Sequence, residues 1–241
     1  MAKIKSSPVF FSIIATFIIS AVWLGSMVIL QEFGQLAFSG AHILFALIAV
    51  LLLGKINQLG GFKHTFKIEG IVKSLFALLP VMVFVAFALV STDGFDFANI
   101  ENFTLTAFFQ TTSSLVQNVL FRGLLVTALL IKLSQDEDER VKSIFIASAL
   151  YLIIYIPLNI INHGMIGIMQ IITTFVVGAG FCSAYLYSKN LLGLVLVQSV
   201  WYILASATEG YAQSPFLIII LAGIVAFAVI FAKRAKPFSI N

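Results

Sequence analysis

Residues 113–125 read S-S-L-V-Q-N-V-L-F-R-G-L-L and place Gln117, Asn118 and Arg122 inside a long apolar run. An arginine at the centre of a membrane helix costs about 2.5–3.5 kcal/mol on insertion scales, and more where it faces lipid. The folded chain must offset that cost. This stretch therefore predicts a helix packed inside a bundle, with a buried polar site around Arg122.

The whole chain has the composition of an integral membrane protein. Of its 241 residues, 61% are hydrophobic and 10% are charged, and the mean hydropathy is +1.09. Soluble domains average about 45–50% apolar and about 25% charged residues. We therefore expect a single membrane domain over residues 1–241, embedded in the lipid bilayer. The net charge of +4 is spread along the chain and does not indicate a nucleic-acid partner.

Apolar windows of about 20 residues predict an all-α, polytopic bundle of about eight transmembrane helices. The windows fall near residues 8–30, 37–54, 71–91, 104–131, 143–161, 165–187, 191–208 and 215–233. The first window is too long for a signal peptide and is expected to be retained. After the second window, a glycine-containing stretch with Lys63 and Lys67 mixes lysine with phenylalanine, which is typical of a segment at the membrane surface.

Basic residues occupy alternate connections between these windows. Of 14 Lys and Arg residues, 13 lie at or near the termini and the connections after the second, fourth and sixth windows. The remaining connections carry acidic residues or no charge: Glu32, Asp93, Asp96, Glu101 and Glu209. The positive-inside rule then predicts an even number of spans with both termini cytoplasmic. The dense charge run 136–140 is interpreted as a solvated loop on that side.

Two further windows carry polar pairs four residues apart, which places each pair on one helix face. Tyr151 and Tyr155 form such a pair in the fifth window, and Gln198 and Tyr202 form another in the seventh. Together with the fourth window they predict a convergent polar cluster. The cluster is either a hydrogen-bonded plug that holds the bundle together or a functional site. No Asp, Glu or His lies within these three windows, so the usual proton carriers are missing there.

The remaining candidates indicate packing rather than chemistry. Cys182 is expected to be a small packing residue, because no second cysteine exists for a disulfide or a metal pair. Gly178 and Gly180 in the sixth window predict close helix approach. The three histidines are scattered, without the spacing of metal ligands: His42, His64 and His163. We therefore expect no metal and no cofactor.

These motifs, in this order, resemble the CPBP family, which includes CAAX prenyl endopeptidases, lysostaphin-resistance-type proteins and bacteriocin self-immunity proteins. In residues 117–123, Q-N-V-L-F-R-G is similar to the family's first motif, E-E-x-x-x-R followed by glycine. The third motif, H-x-x-x-N, is matched by Gln198 and Tyr202. The second motif, S-x-x-F-x-x-x-H-x-P, is matched by Ser148, Tyr151, Tyr155 and Pro157. The resemblance covers residues 104–205.

The resemblance implies an intramembrane endopeptidase, but every matched acid and base is replaced. The family's glutamate and histidines are assigned to water activation and to the tetrahedral intermediate. The amides of Gln117, Asn118 and Gln198 accept no proton near neutral pH, and a phenol such as that of Tyr155 is a poor base. Only Arg122 is kept. The resemblance and its departures together predict a pseudoenzyme, in which no catalytic role is assigned to these positions or to Tyr202.

The substitutions also suggest how the arginine is held. Without its two carboxylates, Arg122 needs other acceptors in the apolar interior. We expect the amide oxygens of Gln117, Asn118 and Gln198, together with the phenol of Tyr155, to form a neutral acceptor cage around it.

The leading functional hypothesis is a catalytically inactive CPBP-type protein in the cytoplasmic membrane of a bacterium. Its partner would be a membrane or cell-envelope protein, or a peptide in bacteriocin self-immunity. An active CAAX-type endopeptidase with a variant site is the first alternative. A small membrane permease is the second, and the lack of an inverted repeat and of embedded acids counts against it.

Overall fold

The computed structural model describes residues 2–30, 33–60, 66–90, 102–132, 136–163, 167–206 and 216–237. Within these ranges every regular element is helical, which confirms the all-α class. The elements are α1 (Ala2–Leu30), α2 (Gly34–Gly60), a 3₁₀ turn (Ile68–Gly70), α3 (Ile71–Ala77), α4 (Leu79–Val90), α5 (Phe103–Gln117), a π-helix (Asn118–Leu125), α6 (Val126–Lys132), α7 (Glu137–His163), α8 (Ile168–Ser188), α9 (Leu192–Ala205) and α10 (Phe216–Arg234).

Several described helices have the length and composition of membrane spans. Four of them qualify alone: Gly34–Lys55, Phe103–Leu130, Glu137–Pro157 and Ile168–Ser188. A fifth is obtained if Ile68–Ala77 and Leu79–Val90 count as one bent span, and Phe10–Ser26 and Leu192–Ala205 are shorter apolar helices. The multi-pass architecture agrees with the sequence. The number of eight spans and the side of the membrane on which the termini lie remain predictions. The connections with acidic residues, on which the orientation depends, lie outside the described residues: Glu32, Asp93, Asp96, Glu101 and Glu209.

The third predicted span, 71–91, is not one continuous helix. Its two halves, α3 and α4, meet at Leu78 with a bend of 63° between the axes. Pro80 explains the break, because proline has no N–H for the carbonyl four residues earlier and its ring clashes with that turn. The N–H of Leu78 still bonds the carbonyl oxygens of Ser74 at 2.9 Å and Leu75 at 3.2 Å. The prediction is therefore corrected to a bent pair of short helices.

The charge run 136–140 was predicted as a solvated loop. Residues 136–138 are exposed as expected, but the run begins a helix and its last residue is buried. The run forms the first turn of α7, where Asp136 Oδ1 accepts the backbone N–H of Glu139 at 2.8 Å. Arg140 is only 5% exposed. Its guanidinium donates to the carbonyl oxygens of Ala232 at 2.9 Å and Lys233 at 2.8 Å, at the end of α10. Arg140 is buried because these terminal carbonyls need donors.

The helical run from α5 through the π-helix to α6 lies at the centre of the bundle. In its most apolar stretch 94% of the residues are buried, against 33% to 56% in the other three spans. The helices α2 and α9 both pack against α5, while α7 and α8 contact the π-helix. This position keeps an arginine within an apolar span away from lipid.

The predicted close approach at the glycines of α8 is confirmed. A β-carbon at Gly178 would lie 2.6 Å from Oγ of Ser148 in α7. A β-carbon at Gly180 would lie 2.9 Å from a methyl of Val81 in α4 and 3.1 Å from one of Ile224 in α10. These glycines therefore let α8 approach three neighbouring helices closely.

We predict that Gly193→Ala destabilises the bundle. A methyl group at Gly193, near the start of α9, would lie 2.4 Å from Cβ of Ser74 in α3. Overpacking of this kind lowers the free energy of unfolding by about 1–3 kcal/mol, so the melting temperature in detergent should fall. The matched control is Gly223→Ala in α10, where nothing lies within 4 Å of the new carbon. Equal melting temperatures for the two variants would contradict this packing.

Candidate functional site

The polar stretch identified in the sequence coincides with a change in helix type. Asn118–Leu125 forms a π-helix in which all eight residues are buried. π-Helical turns are rare and occur frequently at functional sites. Within the turn, a β-carbon at Gly123 would lie 2.9 Å from Leu53 in α2 and 3.0 Å from Leu191. Glycine therefore allows the widened helix to fit between its neighbours.

Gln117 is the centre of the polar cluster. Its Oε1 accepts hydrogen bonds from the hydroxyl of Tyr151 at 3.0 Å, from Nε2 of Gln198 at 2.6 Å and from the hydroxyl of Tyr202 at 2.9 Å. Its own Nε2 donates to the Ser113 hydroxyl at 3.2 Å. The convergence expected from the four-residue spacing is confirmed, since these donors come from α7 and α9 and meet the end of α5.

Asn118 and Gln198 extend the same network. Asn118 Nδ2 donates to Oε1 of Gln198 at 2.8 Å and to the Ser114 carbonyl at 2.8 Å. The Gln198 Nε2 also reaches the Tyr202 hydroxyl at 2.8 Å. Both amides are therefore fixed in orientation, and the buried oxygen Oδ1 of Asn118 has no hydrogen-bond partner among the described residues. The network is neutral throughout.

Arg122 is held differently from the predicted acceptor cage. It is 3% exposed, and its Nε and Nη1 have no hydrogen-bond partner among the described residues. The guanidinium carbon lies 4.7 Å from the ring centroid of Tyr151 and 5.4 Å from that of Phe181. The cage prediction was wrong, because the oxygens of Gln117 and Gln198 accept from neighbouring amides and phenols and two aromatic faces contact the cation instead.

A small cavity lies beside the guanidinium. Its volume is about 60 Å³, and its lining includes Arg122, Tyr155, Thr174, Gln198 and Tyr202. A water molecule has a share of about 30 Å³ in the liquid, so the cavity has room for about two. Tyr155, predicted at the histidine position, lines this cavity and packs on the ring of Tyr151 at 5.6 Å between centroids. The cavity is the place where a ligand group can reach Arg122.

The structure assigns different roles to residues that the motif placed together. Tyr151, at the phenylalanine position of the second motif, joins the Gln117 network. Ser148 donates to the carbonyl oxygen of Phe175 and so ties α7 to α8. Phe181 was missed by sequence reasoning, because one phenylalanine in an apolar run carries no signal of its own. The one clue in the sequence is that Phe181 directly follows Gly180, where a close helix contact was predicted.

A buried histidine was also missed. His42 in α2 has Nδ1 3.2 Å from Oγ1 of Thr112, and its ring packs against Trp23 and Phe109. The Thr112 hydroxyl donates to the carbonyl of Phe109, so the imidazole donates to Thr112 and its Nε2 is left without a described partner. His42 does not line the Arg122 cavity. The side chains of His64 and His163 lie outside the described part of the chain.

Cys182 is buried and reduced, in agreement with the packing role expected for it. The part of the chain that the structure describes has no group of three His, Cys, Asp or Glu residues placed to hold a metal ion. Aromatic rings, amides and one guanidinium are the groups that the site offers to a ligand.

Residues 99–204 match a family model described as type II CAAX prenyl endopeptidase Rce1-like. The match confirms the resemblance to the CPBP family, and it covers nearly the same residues as the motifs. The fold and this match define a helical membrane protein in which residues 99–204 are similar to the Rce1-like CAAX proteases. Comparisons with curated proteins and with solved structures gave no match.

We predict that the acceptor at position 117 is essential for stability. Gln117→Leu would leave three buried donors without their shared acceptor, at a cost of about 1–3 kcal/mol for each donor that finds no other partner. The melting temperature in detergent should therefore fall sharply. Gln117→Glu is the matched variant, because a carboxylate of the same length accepts from all three donors. Equal melting temperatures for Gln117→Leu and Gln117→Glu would show that this network does not stabilise the protein.

Proposed function

We propose that this protein is a catalytically inactive member of the CPBP family that binds a membrane or cell-envelope protein or peptide. The binding would serve bacteriocin self-immunity or hold an envelope protein as a scaffold. One observation carries the proposal. The oxygen of Gln117, at the place of a motif glutamate, already accepts three hydrogen bonds from neutral groups.

The chemistry of the cavity supports an inactive site. General-base catalysis needs a group that takes a proton from water near neutral pH, and an amide oxygen does not. The described residues around the cavity include no carboxylate, imidazole or thiol. Thr174 has a hydroxyl there, but the same residues offer no base to activate it. The site therefore lacks the groups on which water activation or nucleophilic attack would depend.

The same cavity supports binding. Arg122 presents a buried guanidinium with two nitrogens that bond to no described residue. A carboxylate or carbonyl oxygen from a partner would form charge-assisted hydrogen bonds with them. A cavity of about 60 Å³ admits one such terminal group. Clefts for drug-sized ligands measure about 300–1,000 Å³, so this cavity is too small for a peptide strand.

The first test is a proteolysis assay on the purified protein in detergent, with an active CAAX endopeptidase as positive control. Wild type, Arg122→Ala and Gln117→Ala should all cleave prenylated and unprenylated peptides at the same background rate. Cleavage by the wild type that Gln117→Ala abolishes would contradict the proposal and favour the alternative, an active endopeptidase with a variant site.

The second test places a photo-crosslinking amino acid at Thr174, which lines the cavity. In cells, we expect a crosslink to a distinct protein or peptide that is lost on Arg122→Ala, because the partner's acceptor group loses its donor. Lys142→Ala is the control, since Lys142 is an exposed cation paired with Glu139. Where a bacteriocin gene adjoins this one, the wild type should protect cells and Arg122→Ala should not.

A crosslink that persists unchanged in the Arg122→Ala protein would contradict binding through the cavity. Substrate-dependent flux in proteoliposomes would favour the permease alternative instead.

A further inference from the structure

A second and larger pocket is separate from the Arg122 cavity and shares no lining residue with it. Its volume is about 590 Å³, and it lies between α3, the end of α8 and the end of α10. Five basic residues and one acidic residue, Glu69, contribute to its lining. The basic residues are Lys67, Lys73, Lys189, Arg234 and Lys236. We call this the basic pocket.

The walls of the basic pocket are fixed by buried hydrogen bonds. The Asn190 side chain donates to the carbonyl of Lys67 and accepts the N–H of Gly193 at 3.1 Å. The Ser74 hydroxyl donates to that of Ser188 at 2.9 Å. These bonds join the segment before α3 to the connection between α8 and α9. The backbone segments that carry the basic residues are therefore held in place before any ligand arrives, which lowers the cost of binding.

The charges of the pocket are not balanced from within the protein. In the described ranges, none of Lys67, Lys73, Arg234 and Lys236 is within ion-pair distance of an acidic side chain; the two pairs seen are Lys142–Glu139 and Lys233–Asp138. Four exposed cations, Lys67, Lys73, Arg234 and Lys236, around one carboxylate create a strongly positive potential in a concave site. Such a site attracts an anion of more than one charge or several oxygens.

Lys189 differs from the other four basic residues of the pocket. It has φ +56°, in the left-handed region that glycine adopts with less strain. Burial, and secondly the charge of Arg140, lower the pKa of the Lys189 ammonium to about 6. Its backbone N–H bonds the carbonyl of Tyr185 and ends α8. The positive charge of the pocket near neutral pH therefore comes from the four exposed cations.

Apolar side chains are exposed next to the basic pocket. The segment that carries Lys67 and Lys73 also exposes Phe66, Ile68 at 79% and Val72 at 74%. Cations beside exposed apolar side chains are typical of a segment at the membrane surface, and basic pockets between membrane helices bind lipid headgroups. We propose that the basic pocket binds the phosphate group of an anionic phospholipid headgroup, with the acyl chains along the exposed apolar side of α3.

The test measures binding of short-chain phosphatidylglycerol to the full-length protein in detergent by native mass spectrometry. The pocket variant is Lys67→Gln with Lys73→Gln. The control is Lys55→Gln with Lys233→Gln, which removes the same charge from exposed lysines that do not line the pocket. Each basic side chain near a lipid surface contributes roughly a factor of five. We expect the Kd to rise roughly tenfold or more in the pocket variant, and to stay nearly constant in the control.

Two further ligands identify the source of the phosphate. Short-chain phosphatidylcholine should bind much more weakly than phosphatidylglycerol, and inorganic phosphate should displace the lipid only at far higher concentration. Displacement by inorganic phosphate at concentrations comparable to the lipid would overturn the lipid assignment. An equal loss in pocket and control variants would overturn the site itself. If the double variant does not fold, Arg234→Gln against Lys233→Gln repeats the comparison on adjacent residues of α10.

Discussion

The buried guanidinium of Arg122, without a carboxylate, is the constraint on which the centre of this bundle depends. Inserting such a group costs about 2.5–3.5 kcal/mol. Two aromatic faces lie against it, and a desolvated cation–π contact contributes about 0.5–2 kcal/mol, so the two rings together offset most of that cost. Tyr151 serves both parts of the site, because its ring contacts Arg122 while its hydroxyl donates to Gln117. The cation and the neutral network therefore depend on one side chain.

The packing of α8 follows from the same requirement. The second aromatic face belongs to Phe181, which lies on α8 beside two glycines in contact with other helices. A larger residue at Gly178 would push α8 away from Ser148 and would also move the ring away from the guanidinium. The close approach of α8 and the cation–π contact of Phe181 therefore depend on each other. Arg122 stays buried without a carboxylate beside it because two aromatic rings of the bundle close around it.

The sequence predicted the features that depend on composition and on local spacing. Charge content and apolar windows predicted the all-α membrane architecture, and the four-residue steps brought Gln117, Gln198 and Tyr202 together correctly. The hydrogen-bond partners within the cluster were not predictable, because an amide oxygen can accept from a phenol as readily as from Arg122. The burial of Arg140 was not predicted, because its partners are backbone carbonyls of α10. Residue types do not indicate which backbone carbonyls need a donor. The basic pocket likewise joins residues far apart in the chain, such as Lys67 and Lys189.

The two polar regions differ in a way that bears on function. In the bundle interior a charge that forms and disappears during a reaction needs a counter-charge beside it, because the medium has a low effective dielectric constant. The Gln117 network and the cavity lining hold no carboxylate beside Arg122, so a proton accepted there would add a second positive charge without a counter-charge. At the basic pocket several cations are tolerated together since most of them are exposed to solvent. The interior site is therefore suited to recognising one acceptor group by geometry, and the surface pocket to attracting an anion by charge. Both features support the binding roles proposed for the two regions, since neither requires a group that cycles between protonation states.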